Sequence, residues 1–142
     1  NFYLSFDIGY PNEFDRQNQR TGSAIMVHGR CVSQGCFAMN NLPIEEIYLL
    51  AHEAFVQGQE QFSVHVFPFR MTKENLEKHN DSLWLDFWKN LQQVYEAFEN
   101  ARKVPSVVAK NGKYEVQEGR GGEEVVMISK RVDVEEKFRL NQ

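Results

Sequence analysis

The stretch Ser23-Ala24-Ile25-Met26-Val27-His28-Gly29-Arg30-Cys31-Val32-Ser33-Gln34-Gly35-Cys36-Phe37-Ala38-Met39 organises the reading of the whole chain. Ile25, Met26 and Val27 form a short apolar run that predicts a buried strand stopping at His28-Gly29. Gly35 permits a backbone turn immediately before Cys36 that most residues resist. A histidine and a thiol are therefore expected to meet at strand ends. A free thiol has a pKa of about 8.5, so little of it is thiolate at neutral pH, and an imidazole that takes its proton increases the reactive fraction. The backbone N–H groups of Gly35 and Cys36 are candidate donors to the oxyanion formed when a thiolate attacks an amide carbonyl.

The chain has 142 residues, 42% of them hydrophobic and 13% aromatic, enough for one domain with a true core. Its net charge of -4 argues against a general nucleic-acid or anionic-membrane surface, which needs a basic stripe. No apolar run approaches the roughly 20 residues of a membrane span. The sequence shows no signal segment and begins at Asn1 rather than methionine, so an export segment is expected to lie outside it. Two cysteines cannot build a disulfide scaffold, and a bridge across so short a loop would occupy the proposed nucleophile. Cys36 is read as free, and Cys31 as a small buried filler.

In chain order, Tyr3-Leu4-Ser5-Phe6 alternates like a strand, and Gly9-Tyr10-Pro11-Asn12 reads as a turn. The polar run over residues 13–21 lacks apolar periodicity and predicts a surface loop. Asn41-Leu42-Pro43 predicts a capped helix start; Ile44, Ile47, Tyr48, Ala51, Ala54 and Phe55 share one helical face, and Gly58 ends it. Phe62, Val64, Val66 and Phe67 predict a strand broken by Pro68, with His65 on its opposite side. Thr72 predicts the cap of a short helix running to His79, and Asp81 or Ser82 the start of a longer one. The stripe Trp84, Phe87, Trp88, Leu91, Val94, Tyr95 and Phe98 is read as core packing ahead of a glycan platform. Asn111-Gly112 between Val107-Val108 and Tyr114-Val116 predicts a hairpin. The pattern implies an α+β fold. Residues 1–71 are read as the core of a catalytic domain, 72–117 as a helical and hairpin extension packed on it, and 118–142 as a charged, loosely ordered tail.

At His28-Gly29 followed by Ser33-Gln34-Gly35-Cys36 the sequence resembles the L,D-transpeptidases with a YkuD-type catalytic domain. Members carry a histidine-glycine pair, then serine or threonine, a variable residue, glycine and the catalytic cysteine. Here the interval between His28 and Ser33 is shorter than in most members, and Ala38 stands where an arginine is common. Both features, with Gly9-Tyr10-Pro11-Asn12 and Phe67-Pro68-Phe69-Arg70-Met71-Thr72, resemble the murein L,D-transpeptidase YafK-like branch over residues 3–114. The resemblance implies a mainly β, YkuD-like catalytic sandwich with packed C-terminal helices. Family strands that precede Tyr3 have no counterpart in this sequence, so the catalytic fold is expected to be truncated on its N-terminal side.

The resemblance further implies a peptidoglycan-modifying cysteine acyltransferase. Cys36 attacks the carbonyl at the L-centre of a stem-peptide diaminopimelate and forms a thioester, His28 serves as general base and then acid, and the Gly29 carbonyl orients His28. Ser33, Arg30 and Tyr10 are candidate substrate-binding residues; Arg70 is a further candidate for a substrate carboxylate. No metal or organic cofactor is required. An amine acceptor makes a transpeptidase, whereas water makes a hydrolase or amidase of murein crosslinks or of murein-lipoprotein links. The implied partners are peptidoglycan stem peptides and a murein-linked lipoprotein, and the implied location is the periplasm or cell envelope. Two other classes stand beside this reading. One is a zinc-binding domain using His28, Cys31 and Cys36 with His52 or His65. The other is a noncatalytic wall-binding domain in which Cys36 is relictual.

If Cys36 is the activated thiol, limited alkylation at neutral pH modifies it before Cys31, as read by peptide mass spectrometry. Preferential labelling of Cys31 would overturn the choice of nucleophile.

Overall fold

A computed structural model describes residues 3–117 of the chain, so the expectations for 118–142 lie outside the described residues. The architecture is α+β, with two small sheets and four helices among those residues. The described chain divides into two units, residues 3–12 with 21–64 and residues 13–20 with 65–117.

The first unit holds a three-stranded sheet. Strand β1 (Ser5–Asp7) pairs antiparallel with β2 (Met26–His28), which pairs parallel with β3 (Phe37–Ala38). Helix α2 (Asn41–Val56) follows β3. Phe6, Ile8, Val27 and Ile44 are buried together, and Ile44, fully excluded from water, ties the helix to the sheet. The apolar spacing that predicted this helix is the face it buries, since Ala51 and Phe55 are buried as well. Gly58, at φ 93°, closes it through the Gly58 N–H to the Phe55 carbonyl and the Gln59 N–H to the Ala54 carbonyl, the double closure that a left-handed residue permits.

Two expectations fail here. Asn41 was expected to cap the helix; the capping position is Asn40, which makes no side-chain cap bond, and Asn41 is the first helical residue. Its side chain turns back to the loop before it, as described below. The alternating segment at residues 62–67 forms no strand among the described residues. Its first residues, to Val64, belong to the first unit, where Phe62 packs edge-on against Phe6 at 5.9 Å and tilted against Phe55 at 5.6 Å, and the rest belongs to the second.

The second unit contains α1 (Glu13–Gln17), α3 (Lys73–Lys78), α4 (Leu85–Ala101) and the hairpin of β4 (Ser106–Lys110) with β5 (Lys113–Gln117). Helix α1 lies where a polar surface loop was expected. A single side chain, Phe14, explains it: the ring is buried, stacking on Tyr114 at 4.3 Å and Phe87 at 5.3 Å. One anchor residue gives no periodicity for a pattern argument to find. The polar residues of this segment clasp the hairpin turn. Gln17 accepts from the Gly112 N–H (2.9 Å) and donates to the Ala109 carbonyl (3.2 Å), and Asn18 donates to the Gly112 carbonyl (3.2 Å).

Asn111 and Gly112 take φ 52° and 71°, the left-handed pair that a two-residue hairpin loop demands. Thr72 caps α3 as its sequence predicts, accepting from the Asn75 N–H. Helix α4 starts at Leu85, later than Asp81 or Ser82, because Ser82 Oγ accepts from the Trp84 N–H in a preceding turn. The middle of the aromatic stripe packs as expected, with Leu91 and Val94 buried, while its ends, Trp84 and Phe98, are exposed. Trp84 instead carries the Arg20 guanidinium over its ring at 5.7 Å.

Asn90, buried on α4, bonds both backbone groups of Tyr114: Nδ2 donates to the carbonyl (2.7 Å) and Oδ1 accepts from the N–H (2.8 Å). Asn90→Ala leaves both groups buried without that partner, so an unfolding free-energy loss of about 2–4 kcal/mol is expected from chemical denaturation. Leu83→Ala, at a fully exposed position, is expected to change it by less than about 0.5 kcal/mol.

Candidate active site

His28 closes β2 and is 1% exposed. Its Nδ1 lies 2.5 Å from the Gly29 carbonyl oxygen. A carbonyl only accepts, so in the neutral ring Nδ1 carries the hydrogen and Nε2 is the basic nitrogen. Register places His28 opposite Ala38 and Val27 opposite Phe37. Cys36 directly precedes β3, two positions before the residue that faces His28. At about 3.3 Å per residue and about 4.8 Å between strands, neighbouring strands bring the two residues to one small region of the sheet.

The link between these strands begins and ends on backbone bonds. Met39 N–H donates to the His28 carbonyl (2.8 Å), and Asn40 N–H to the Arg30 carbonyl (3.0 Å). Arg30 N–H donates to Asn41 Oδ1 at 2.9 Å. Arg30 and Asn40 both hold positive φ, at 63° and 61°, which those bonds stabilise against relaxation. Within the loop, the Ser33 hydroxyl donates to the Cys36 carbonyl at 2.7 Å. Cys36 Sγ lies 3.8 Å from the Ala24 carbonyl, which it approaches as a donor.

Cys36 and Cys31 are both free, and Cys31 is the more exposed of the two. The expectation of a buried filler at Cys31 is therefore corrected: it sits on the exposed stretch over residues 30–35, where no core is available to cover it. The Arg30 side chain is exposed. The Tyr10 hydroxyl donates to the Thr21 carbonyl (3.1 Å), bracing the segment that leads into β2.

The remaining candidates belong to other surroundings. His52 lies along α2 with Nδ1 3.5 Å from a Glu53 carboxylate oxygen. His65 belongs to the second unit and meets the Phe67 ring edge-on at 6.2 Å. Burial lowers its pKa, because desolvation disfavours the charged ring. Its contribution to stability is therefore present above the ordinary imidazole value and is lost as pH falls below it. Arg70 is exposed in that same unit, and its carbonyl accepts from Thr72 N–H and Asn75 Nδ2. Among the described residues no three His, Cys, Asp or Glu side chains are grouped to hold a metal ion.

No family model matches the sequence. Over 115 residues the chain is 44% identical to a protein of Escherichia coli strain K12 described as "Putative L,D-transpeptidase YafK", and equally to the protein so described in Escherichia coli O157:H7. The match takes in 81% of this chain and 47% of each relative, so the chain spans about half the length of the curated relatives it matches. Among the described residues no helix is long and apolar enough to cross a membrane.

Gly35 holds φ 115°, and a methyl group added there would meet nothing within 4 Å. Space is available and only the backbone objects. Gly35→Ala is therefore expected to lower stability by about 1–2 kcal/mol through strain alone, measured by urea denaturation. An unchanged midpoint would mean that the turn before Cys36 does not need its left-handed residue.

Proposed function

The chain belongs to the YafK-like L,D-transpeptidases, and from that premise we propose that it is a peptidoglycan-modifying cysteine acyltransferase acting through Cys36. The observation that carries the reading is the hydrogen bond between His28 Nδ1 and the Gly29 carbonyl on the strand beside the one that Cys36 enters. That bond leaves Nε2 as the ring's base, which thiol activation requires. The sheet of the first unit is read as part of the YkuD-type sandwich.

In the proposed reaction the Cys36 thiol leaves the Ala24 carbonyl and gives its proton to His28 Nε2. The thiolate attacks the carbonyl carbon at the L-centre of a stem-peptide diaminopimelate. A C–S bond forms as the carbonyl pair moves to oxygen, where the Gly35 and Cys36 N–H groups receive it. Collapse breaks the C–N bond, and the imidazolium returns its proton to the departing amine, leaving a thioester. The Gly29 carbonyl orients the ring throughout, in the place that an aspartate takes in a serine-type triad. Arg30, exposed at the neck of the loop, is read as the group that meets an acidic part of the substrate.

An amine acceptor completes transpeptidation, and water completes hydrolysis. The short interval between His28 and Ser33 and the exposure of residues 30–35 favour hydrolysis as the second reading, since little chain is present to wall off a bulky donor such as a protein-linked stem peptide. Such substrates place the protein in the periplasm or at the cell envelope.

Incubating the complete protein with muropeptides, with and without lipoprotein-linked murein, and identifying products by mass spectrometry separates transfer from cleavage. Release of neither product would count against the acyltransferase. Cys36→Ser and His28→Ala are each expected to remove most activity with the fold retained. The double variant should be little worse than the poorer single one, because residues that act as one unit lose activity non-additively. Multiplicative losses would mean that His28 does not act through Cys36.

A further inference from the structure

The peptide unit joining Gly29 to Arg30 is bonded at both of its polar groups. Its carbonyl oxygen meets His28 Nδ1 at 2.5 Å, and its N–H donates to Asn41 Oδ1 at 2.9 Å. In a trans peptide these groups lie in one rigid plane and point in opposite directions, so neither bond can turn without the other. We propose that Asn41 is a positioning residue for His28: by holding the Arg30 N–H it fixes the peptide plane whose carbonyl keeps the imidazole in its Nδ1–H tautomer.

Three features of the structure support the assignment. Arg30 is held at φ 63°, a left-handed conformation that a residue with a Cβ leaves unless something opposes the relaxation. The opposing bonds come from both sides, with Asn40 N–H on the Arg30 carbonyl and Asn41 Oδ1 on the Arg30 N–H. The Asn41 acceptor also sits on a rigid element, the first turn of a 16-residue helix that Ile44 pins to the core. A further consequence is electronic. A peptide whose N–H is engaged is polarised, and its carbonyl becomes a better acceptor for the imidazole N–H. Asn41 thus acts on the ring through one peptide unit.

The inference relies on the proposed Cys36 and His28 chemistry only for its catalytic consequence, because the tautomer is measurable without turnover. The test is nitrogen-15 NMR of the His28 ring in the full chain, at a pH where the ring is neutral, together with the rate of Cys36 alkylation. The unmodified chain is expected to show a protonated Nδ1 and an unprotonated Nε2. Asn41→Ala should give a mixture that includes the Nε2–H tautomer and slow alkylation of Cys36 about five- to tenfold, the value of one net hydrogen bond. Asn41→Asp keeps an acceptor oxygen in place and puts a charge that suits a helix N-terminus, so it should keep the original ring signals. If Asn41→Ala does not fold, Asn41→Ser makes the same comparison, being well tolerated at a helix start and too short to span to the Arg30 N–H.

An unchanged tautomer in the folded variant that lacks the acceptor overturns the proposal and leaves the Cys36 chemistry standing. Loss of the original signals in Asn41→Asp as well would also overturn it, since the acceptor oxygen alone would not be what holds the ring. A changed tautomer with unchanged Cys36 labelling supports the positioning role of Asn41 and counts instead against His28 as the base for Cys36.

Discussion

The constraint on which the candidate site depends is the closure of a loop between two parallel strands. Parallel neighbours ordinarily need a connection of about a dozen residues or more, because the chain must travel back along the full strand before pairing again. Here β2 ends at His28 and β3 begins at Phe37, so only residues 29–36 make the return. That is possible because the paired stretch is two residues long. The cost appears in the backbone, as left-handed conformations at Arg30, Gly35 and Asn40. The bonds from Asn40 and Asn41 to Arg30 close the neck and make those conformations tenable. The candidate base, the candidate nucleophile and both candidate oxyanion donors thus come from one short, tightly closed segment.

This arrangement asks little of distant parts of the chain. His28 is hydrogen-bonded to the carbonyl of the next residue, so in the proposed chemistry the third participant that a triad draws from elsewhere in a fold would be supplied by the main chain. Burial serves the same end, since an imidazole excluded from water keeps the hydrogen bond that defines its tautomer. The thiol lies nearer to solvent, where a substrate can reach it. The second unit is held by other means, through the stack of Phe14 on Tyr114 and the double bond of Asn90 to the Tyr114 backbone. The similarity to proteins described as L,D-transpeptidases spans residues drawn from both units, and it gives the closed loop its proposed chemical reading.

What the sequence by itself determined were the features written in local chemistry. Helix α2 was legible because six apolar residues share a face and glycine follows it, the hairpin because Asn-Gly suits left-handed turns, and α3 because threonine stands at its cap. The short apolar run before His28 was legible as a strand for the same kind of reason, and the His28-Gly29 and Ser33-Gln34-Gly35-Cys36 spacing carried the family resemblance. Tertiary structure alone decided the features that depend on a distant partner. Phe14 turns a polar run into a helix by docking on rings far along the chain. The alternating residues at 62–67 have the strand pattern but pair with no neighbour, since alternation specifies a face and not the existence of an edge to join. Asn41 reads as a helix cap in any sequence argument, because caps are local; that its oxygen is taken by Arg30 follows from where the loop returns. A side chain's preference is a property of its residue type, whereas the partner it meets is set by how the whole chain closes.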